Sequence, residues 1–274
     1  MSASFITIEK TVFLNIVNQK MKIITGILSF LWKCYVGIVF SVVAVLLYPI
    51  FLVLLSTKKW KKISFRVFVF WSWIMRIFCF YTIKKITNHA PPKGPYILIA
   101  NHASYLDIFF MYSLFPKHPF LFLGKGEILS YPIIRTYFKN LNIPVHRTDR
   151  RKSAESFGLA KKAVREGWSL VIFPEGGIPD TNRPNMMAFK KGAFKLAKTL
   201  NVPLVPITFT NHHLLFSDPM DLLGPARPGI SHVYIHPFLS TEKIQHTTEA
   251  ALLQECYDTI EAPLLKEYPF IERN

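Results

Sequence analysis

The stretch Tyr96–Asp107, YILIANHASYLD, decides how the globular part of this 274-residue chain is read. Its first residues, YILIA, form a short unbroken apolar run of the kind found in strands covered on both faces. His102 and Asp107 follow, five positions apart. On one continuous helix, residues five apart diverge by about 140°. They can meet only if His102 lies at the strand end and Asp107 in the first turn of the helix that follows. With Ser104 as N-cap, Asp107 takes the N3 position and SYLD has the form of a capping box. The stretch therefore reads as strand, turn and helix start.

The same alternation continues outward. Strands are expected at Tyr96–Ala100, Phe120–Leu123, Ile143–His146, Ser169–Phe173, Pro203–Phe209 and Val233–Phe238. Helical patterns lie between them, at Ile108–Leu114, Ile133–Leu141, Ser153–Arg165 and Phe189–Leu200, and a last helix covers about Glu249–Glu267. The fold class expected is α/β, with a mixed, largely parallel sheet and flanking helices.

Upstream, the chain changes character. Half of all residues are hydrophobic and mean hydropathy is +0.25, too apolar for an ordinary soluble domain. Lys and Arg outnumber Asp and Glu by 33 to 17, a net charge of +16 that suits nucleic acid or anionic headgroups. The apolarity favours the membrane. Zinc-knuckle spacing and aromatic RNA-binding motifs are absent, so no nucleic-acid partner is expected. Three widely spaced cysteines, Cys34, Cys79 and Cys256, form no CxxC pair and fit a reducing, cytosol-facing compartment.

From Ile23 to Leu55 the only charge is Lys33. One helix over that stretch is about 50 Å long, against a hydrocarbon core of about 30 Å. Cys34–Leu55, at about 33 Å, is the better span, and Pro49 inside it is a possible bend for a re-entrant hairpin. A cleavable signal peptide fits poorly because the apolar region is too long. In the next segment Lys58, Lys59, Lys62, Arg66, Ser72 and Arg76 share one arc of a helical wheel opposite a wide apolar face. That describes a helix in the membrane interface; a second span with snorkelling arginines is the alternative. Positive charge on both flanks, with Lys20 and Lys22 ahead of the first segment, favours a hairpin or interfacial dip over a simple span. The stretch NHAPPKGP, Asn88–Pro95, reads as a linker. The division expected is residues 1–85 as anchor and 86–274 as globular domain.

In open α/β sheets ligands gather at the carboxyl ends of strands, and three such ends here carry polar clusters. His102 follows the first, Arg147 the strand in NIPVH, and Glu175 the strand in LVIFP. His102 has the character of a general base, with Asp107 either capping its helix or fixing the imidazole tautomer. No GxSxG or HExxH is present, so the histidine would act on a substrate group, with no metal expected. Arg147 heads a basic turn before a helix N-terminus, a suitable place for phosphate, although Arg150–Lys152 read better as a solvated turn. Glu175 opens a glycine- and proline-rich loop leading to Lys190 and Lys191. His89, His118, His212, His213, His232 and His236 show no ligand spacing.

Together these residues resemble the 1-acylglycerol-3-phosphate acyltransferase (lysophosphatidate acyltransferase) family. HASYLD resembles its HxxxxD box at His102 and Asp107, and GKGEIL, Gly124–Leu129, its lysine-x-glutamate-leucine segment, with Ile128 standing before the leucine. IPVHR resembles its second block, FPEGG its third and VPLVPITF its fourth, matching Arg147, Glu175 with Gly176, and Pro206. The similarity runs from roughly Lys84 to Asn211. One departure stands out: Gly177 and Ile178 replace the threonine and arginine of the third block, leaving Arg183, Lys190 or Lys191 to stand in. The resemblance implies acyl transfer from acyl-CoA or acyl carrier protein to the sn-2 hydroxyl of lysophosphatidate, with no bound cofactor and phosphatidate as product. It implies His102 as base, Asp107 as its orienting carboxylate, Lys125 or backbone N–H groups at the oxyanion, and Arg147 on the acceptor phosphate. Glu175, Gly176, Lys190 and Lys191 are expected to border the substrate. The enzyme would work at a membrane, its catalytic domain facing the cytoplasm. Glycerol 3-phosphate or another lysolipid as acceptor, or a non-catalytic protein that binds acidic lipids, are the other readings.

Overall fold

The structure is a computed structural model describing residues 2–126, 135–137, 141–145, 149–179 and 183–270. It begins with one long helix, α1 (Ser2–Leu55), which runs through Pro49 without a break in the helix. A short 3-10 turn, Lys58–Trp60, reverses the chain into α2 (Lys61–Phe78). The hairpin expected at Pro49 is thus formed by two whole helices. Proline is tolerated here although it donates no N–H to the helix, because the stripe of side chains beneath it is fixed by packing.

That stripe on α1 is Lys33, Val36, Val43, Ala44, Leu47, Phe51 and Leu55, at the three- and four-residue spacing of one helix face, and all of it is buried. Phe51 meets Phe68 and Phe40 stacks on Trp71 of α2, with centroids 4.5 and 5.1 Å apart. Lys33 is buried because its ammonium donates to Ser217 Oγ at 2.8 Å and to the carbonyls of Asp218 and Asp221. The opposite face stays apolar and exposed, and Val17–Leu55 is long and apolar enough to cross a membrane by length and composition. α2 differs from the interfacial helix expected. Ser72, placed on its polar arc, is buried and donates to the Phe109 carbonyl at 2.6 Å, while Phe65 and Phe68 pack on Tyr112. Of that arc within α2, Lys62 and Arg66 are exposed and Arg76 is half-buried.

Next comes β1 (Tyr81–Asn88), a strand the sequence reading did not anticipate. It is an edge strand whose exposed Lys84 and Lys85 obscure any alternation, as edge strands favour. The domain boundary drawn at residue 86 therefore falls inside a strand. The core order continues with β2 (Ile97–Ala100), α3 (Leu106–Leu114), β3 (Phe120–Lys125), β4 (Ile143–Val145), α4 (Arg150–Arg165) and β5 (Ser169–Ile172). It ends with α5 (Gly192–Leu200), β6 (Leu204–Phe209), α6 (His212–Leu215), β7 (Gly229–Ile235), α7 (Thr241–His246) and α8 (Glu249–Glu267). α4 starts three residues before the expected Ser153, because the Asp149 carboxylate accepts the N–H groups of Arg151 and Lys152 as N-cap. The helix expected at Ile133–Leu141 lies largely outside the described residues, of which 135–137 and Leu141 are helical.

The sheet has seven strands in the order β1-β7-β6-β2-β5-β3-β4. Every neighbouring pair is parallel except β6 with β7. The mixed, largely parallel α/β fold read from the sequence is the one observed. β2 sits at the centre with all four residues buried, which is why its sequence is a continuous apolar run. Because β6, β2, β5, β3 and β4 run parallel, their carboxyl ends share one edge of the sheet. That edge carries the polar residues.

Candidate active site

The chain leaves β2 at Ala100 and turns sharply. Asn101 pins the turn to β6: its amide donates to the Phe209 carbonyl at 2.9 Å and its oxygen accepts the Phe209 N–H at 2.8 Å. Ser104 then opens α3, its hydroxyl accepting the Leu106 N–H at 3.1 Å and donating to the Phe216 carbonyl at 2.6 Å. The helix starts at Leu106 with Tyr105 as its N-cap, one residue later than the expected Ser104, so Asp107 is its second residue and faces back. One oxygen, Oδ2, accepts the Ala103 and Ser104 N–H groups at 2.9 and 3.0 Å and lies 2.8 Å from His102 Nδ1. The carboxylate is both the cap of the helix start and the partner of the histidine.

Asp107 is fully buried, and its second oxygen is also occupied: Oδ1 lies 2.5 Å from Nδ1 of His212, whose Nε2 is 2.5 Å from Ser231 Oγ. Burial opposes ionisation, yet the hydrogen bonds from His102 and His212 outweigh it and hold the Asp107 carboxyl at about 2. With Nδ1 of His102 engaged by the carboxylate, Nε2 is the nitrogen left for chemistry. The ring stacks on Phe173 at 4.0 Å and 14°, which fixes its plane. His102 borders a cleft with Glu175, Pro179, Arg183, Asn185 and Met186.

Glu175, one strand over at the end of β5, braces this cleft from below. Its two oxygens accept the N–H groups of His102 at 2.7 Å and Met187 at 2.8 Å, tying the β2 turn to the loop before α5. Burial pushes its carboxyl up to about 8 despite those two bonds. Gly176 follows at φ 87, a left-handed conformation that glycine adopts without strain. Lys190 and Lys191 are exposed at the head of α5 and do not border the cleft. Arg183 does, held by its Nε–H donating to the Pro179 carbonyl at 2.9 Å. Lys125 ends β3 on the same sheet edge, while Arg147 lies outside the described residues.

The sequence reading missed His212 and Ser231. His212 has no metal-ligand spacing in the sequence. It stands three residues beyond the end of β6, so the strand-end rule that found His102 applies to it equally. Ser231 carries no sequence signal, since β7 brings it in from nineteen positions downstream of His212. Among the described residues no group of three or more His, Cys, Asp or Glu is placed to hold a metal ion.

A family model for acyltransferases matches residues 64–210, more than half of the chain. A 1-acyl-sn-glycerol-3-phosphate acyltransferase of Chlamydomonas reinhardtii is 29% identical over 82% of this chain and 66% of its own length. The protein of the same name from Saccharomyces cerevisiae is 31% identical over 62% of this chain and 56% of its own. The chain thus spans between half and two thirds of these relatives. In fold it is similar to the crystal structure of the 1-acyl-sn-glycerophosphate acyltransferase PlsC from Thermotoga maritima. The TM-score is 0.70 and the match covers 91% of this chain and 100% of that one, at 17% identity. The family model runs from within α2 to the end of β6, over more than half of the residues: this chain belongs to the acyltransferase family.

Proposed function

We propose that the protein transfers a fatty acyl group from a thioester, acyl-CoA or acyl carrier protein, to the sn-2 hydroxyl of lysophosphatidate, giving phosphatidate. The observation that carries this reading is the His102–Asp107 pair at the central strand end, opening on a cleft bordered by Arg183. His102 Nε2 takes the hydroxyl proton as the oxygen attacks the thioester carbonyl carbon. The tetrahedral adduct then collapses, the C–S bond breaks, and the imidazolium returns its proton to the leaving thiolate. Protein and substrate charge balance at each step, and no acyl-enzyme forms. Asp107 holds the Nδ1–H tautomer and offsets the positive charge while the proton is on loan. Lys125 or backbone N–H groups stabilise the oxyanion. General-base catalysis supplies roughly 10²–10⁴-fold, so the rest of the acceleration comes from positioning both substrates.

For the acceptor phosphate, Arg147 is the cation carried over from the family resemblance. Arg183 supplies a second, replacing the arginine absent at Ile178. The outward face of α1, together with exposed Ile63, Phe70, Trp73 and Ile77 of α2, meets the bilayer from which the acceptor comes. The catalytic domain then lies on the cytoplasmic side, beside the Lys58–Lys62 cluster.

An acceptor screen with purified protein, following thiol release from an acyl thioester, tests the reaction. Release is expected with lysophosphatidate, which carries an acyl chain, a free hydroxyl and a phosphate monoester, and not with glycerol 3-phosphate or a lysolipid that lacks the monoester. Arg183→Ala is expected to raise the acceptor KM more than the donor KM. Liposome binding without thiol release would favour the lipid-binding alternative, and release with glycerol 3-phosphate alone would reassign the acceptor.

A further inference from the structure

We propose that His212 and Ser231 extend the His102–Asp107 pair into a relay of four side chains, in which His212 is a positioning residue that keeps Asp107 ionised and aligned. The proposal rests on the reading of His102 as the base. Asp107 Oδ1 can only accept, so His212 Nδ1 carries the proton of their 2.5 Å contact. A neutral His212 then has a lone pair at Nε2, which accepts from the Ser231 hydroxyl at 2.5 Å. Ser231 thereby selects the tautomer that His212 presents to Asp107. The imidazole is fully buried, stacked on Phe209 at 4.4 Å and met edge-on by Phe110 at 4.7 Å, so it has no room to swing away.

Each oxygen of the carboxylate thus serves one histidine. The catalytic side also receives two backbone N–H groups, and the far side depends on His212. Removing that donor leaves a buried, unsatisfied Oδ1. The carboxylate then becomes more basic, and both it and the His102 imidazolium retain their protons to higher pH. Among the described residues, the other ionisable groups around the relay are Glu175 after β5, His213 on α6 and Arg183 at the cleft. All three are common to every variant below, so a difference between variants reports the relay.

The test combines turnover with a readout that needs none: the pH midpoint for diethyl pyrocarbonate modification of the His102 peptide, which follows neutral imidazole. For His212→Leu, kcat is expected to fall by about tenfold or more, the scale of a lost hydrogen bond to a charged group. The acid limb of kcat and the modification midpoint both move to higher pH. His212→Asn places an amide N–H where Nδ1 stood and restores both; His212→Gln, whose amide falls nearer Nε2, does not. Ser231→Ala shifts both in the same direction by less. A folded His212→Leu protein with unchanged kcat profile and midpoint overturns the relay, as does equal behaviour of the Asn and Gln variants. Absence of thioester consumption by the unaltered chain, with the midpoint shift intact, overturns the acyl-transfer reading and leaves the relay standing.

Discussion

Along α1, Leu28, Ile38, Val45 and Leu46 are 60, 62, 63 and 69% exposed, whereas at the strand ends Asp107 and His212 are fully buried and Glu175 is 3% exposed. The two regions reverse the ordinary sorting of apolar inside and polar outside. At the strand ends the reversal is stable because both buried carboxyl groups are paired: Asp107 with two imidazoles and two backbone amides, Glu175 with two amides. On α1 nothing among the described residues covers the outward face. Its other face is docked along the domain from Lys33 to Leu55, so only half of the helix remains for lipid. The difference locates function. In the proposed function the closed polar network supplies the chemistry, and the open apolar face supplies the place where that chemistry meets a lipid.

The comparison is broken most severely by His102→Ala. Acyl transfer is expected to fall by about 10²–10⁴-fold, the range for a general base. Membrane association should be unchanged, as measured by flotation with vesicles, because α1 is untouched. Near-normal turnover in this variant would remove the proposed base.

Asp107→Asn strikes the network where capping and orienting coincide. One amide cannot accept from both histidines, so both kcat and melting temperature are expected to drop. A fall in melting temperature with kcat preserved would reduce Asp107 to a cap. The unaltered carboxyl also predicts a pH effect. Its folded value of about 2 lies below the ordinary 3.8, so the stability it contributes is present above pH 3.8 and is lost as pH falls through about 2. The amount is roughly 2 kcal/mol, read as a steeper acid limb of stability in the unaltered protein than in Asp107→Asn. Glu175 has the opposite sign. Its value of about 8 lies above the ordinary 4.5, so its contribution is complete below pH 4.5 and declines as pH rises through about 8.

The mildest change tests the open face. Leu46→Lys replaces an outward residue that touches no core. Vesicle partition should weaken by about thirtyfold, since one fully buried leucine contributes roughly 2 kcal/mol. Melting temperature in detergent should move by no more than about 4 °C, as expected for a surface substitution. Equal loss of partition and of stability would mean that this face packs against protein instead.

Local sequence determined a large part of this molecule. The run YILIA could only be a covered strand, because five adjacent apolar side chains need partners on both faces. The gap from His102 to Asp107 required a turn between strand and helix, because the angular step of a helix separates them. The helical pattern at about Glu249–Glu267 coincides with the bounds of α8. β1 was hidden by lysines that an edge strand tolerates. The continuity of α1 through Pro49 depended on a packed stripe that no local rule contains. His212 and Ser231 became visible only when β6, β7 and α3 were brought together, from segments more than a hundred positions apart. Local sequence sets which residues can form a strand, a turn or a cap, since those depend on near neighbours. Which distant donor completes a buried carboxylate depends on strand order, and only the assembled sheet decides it.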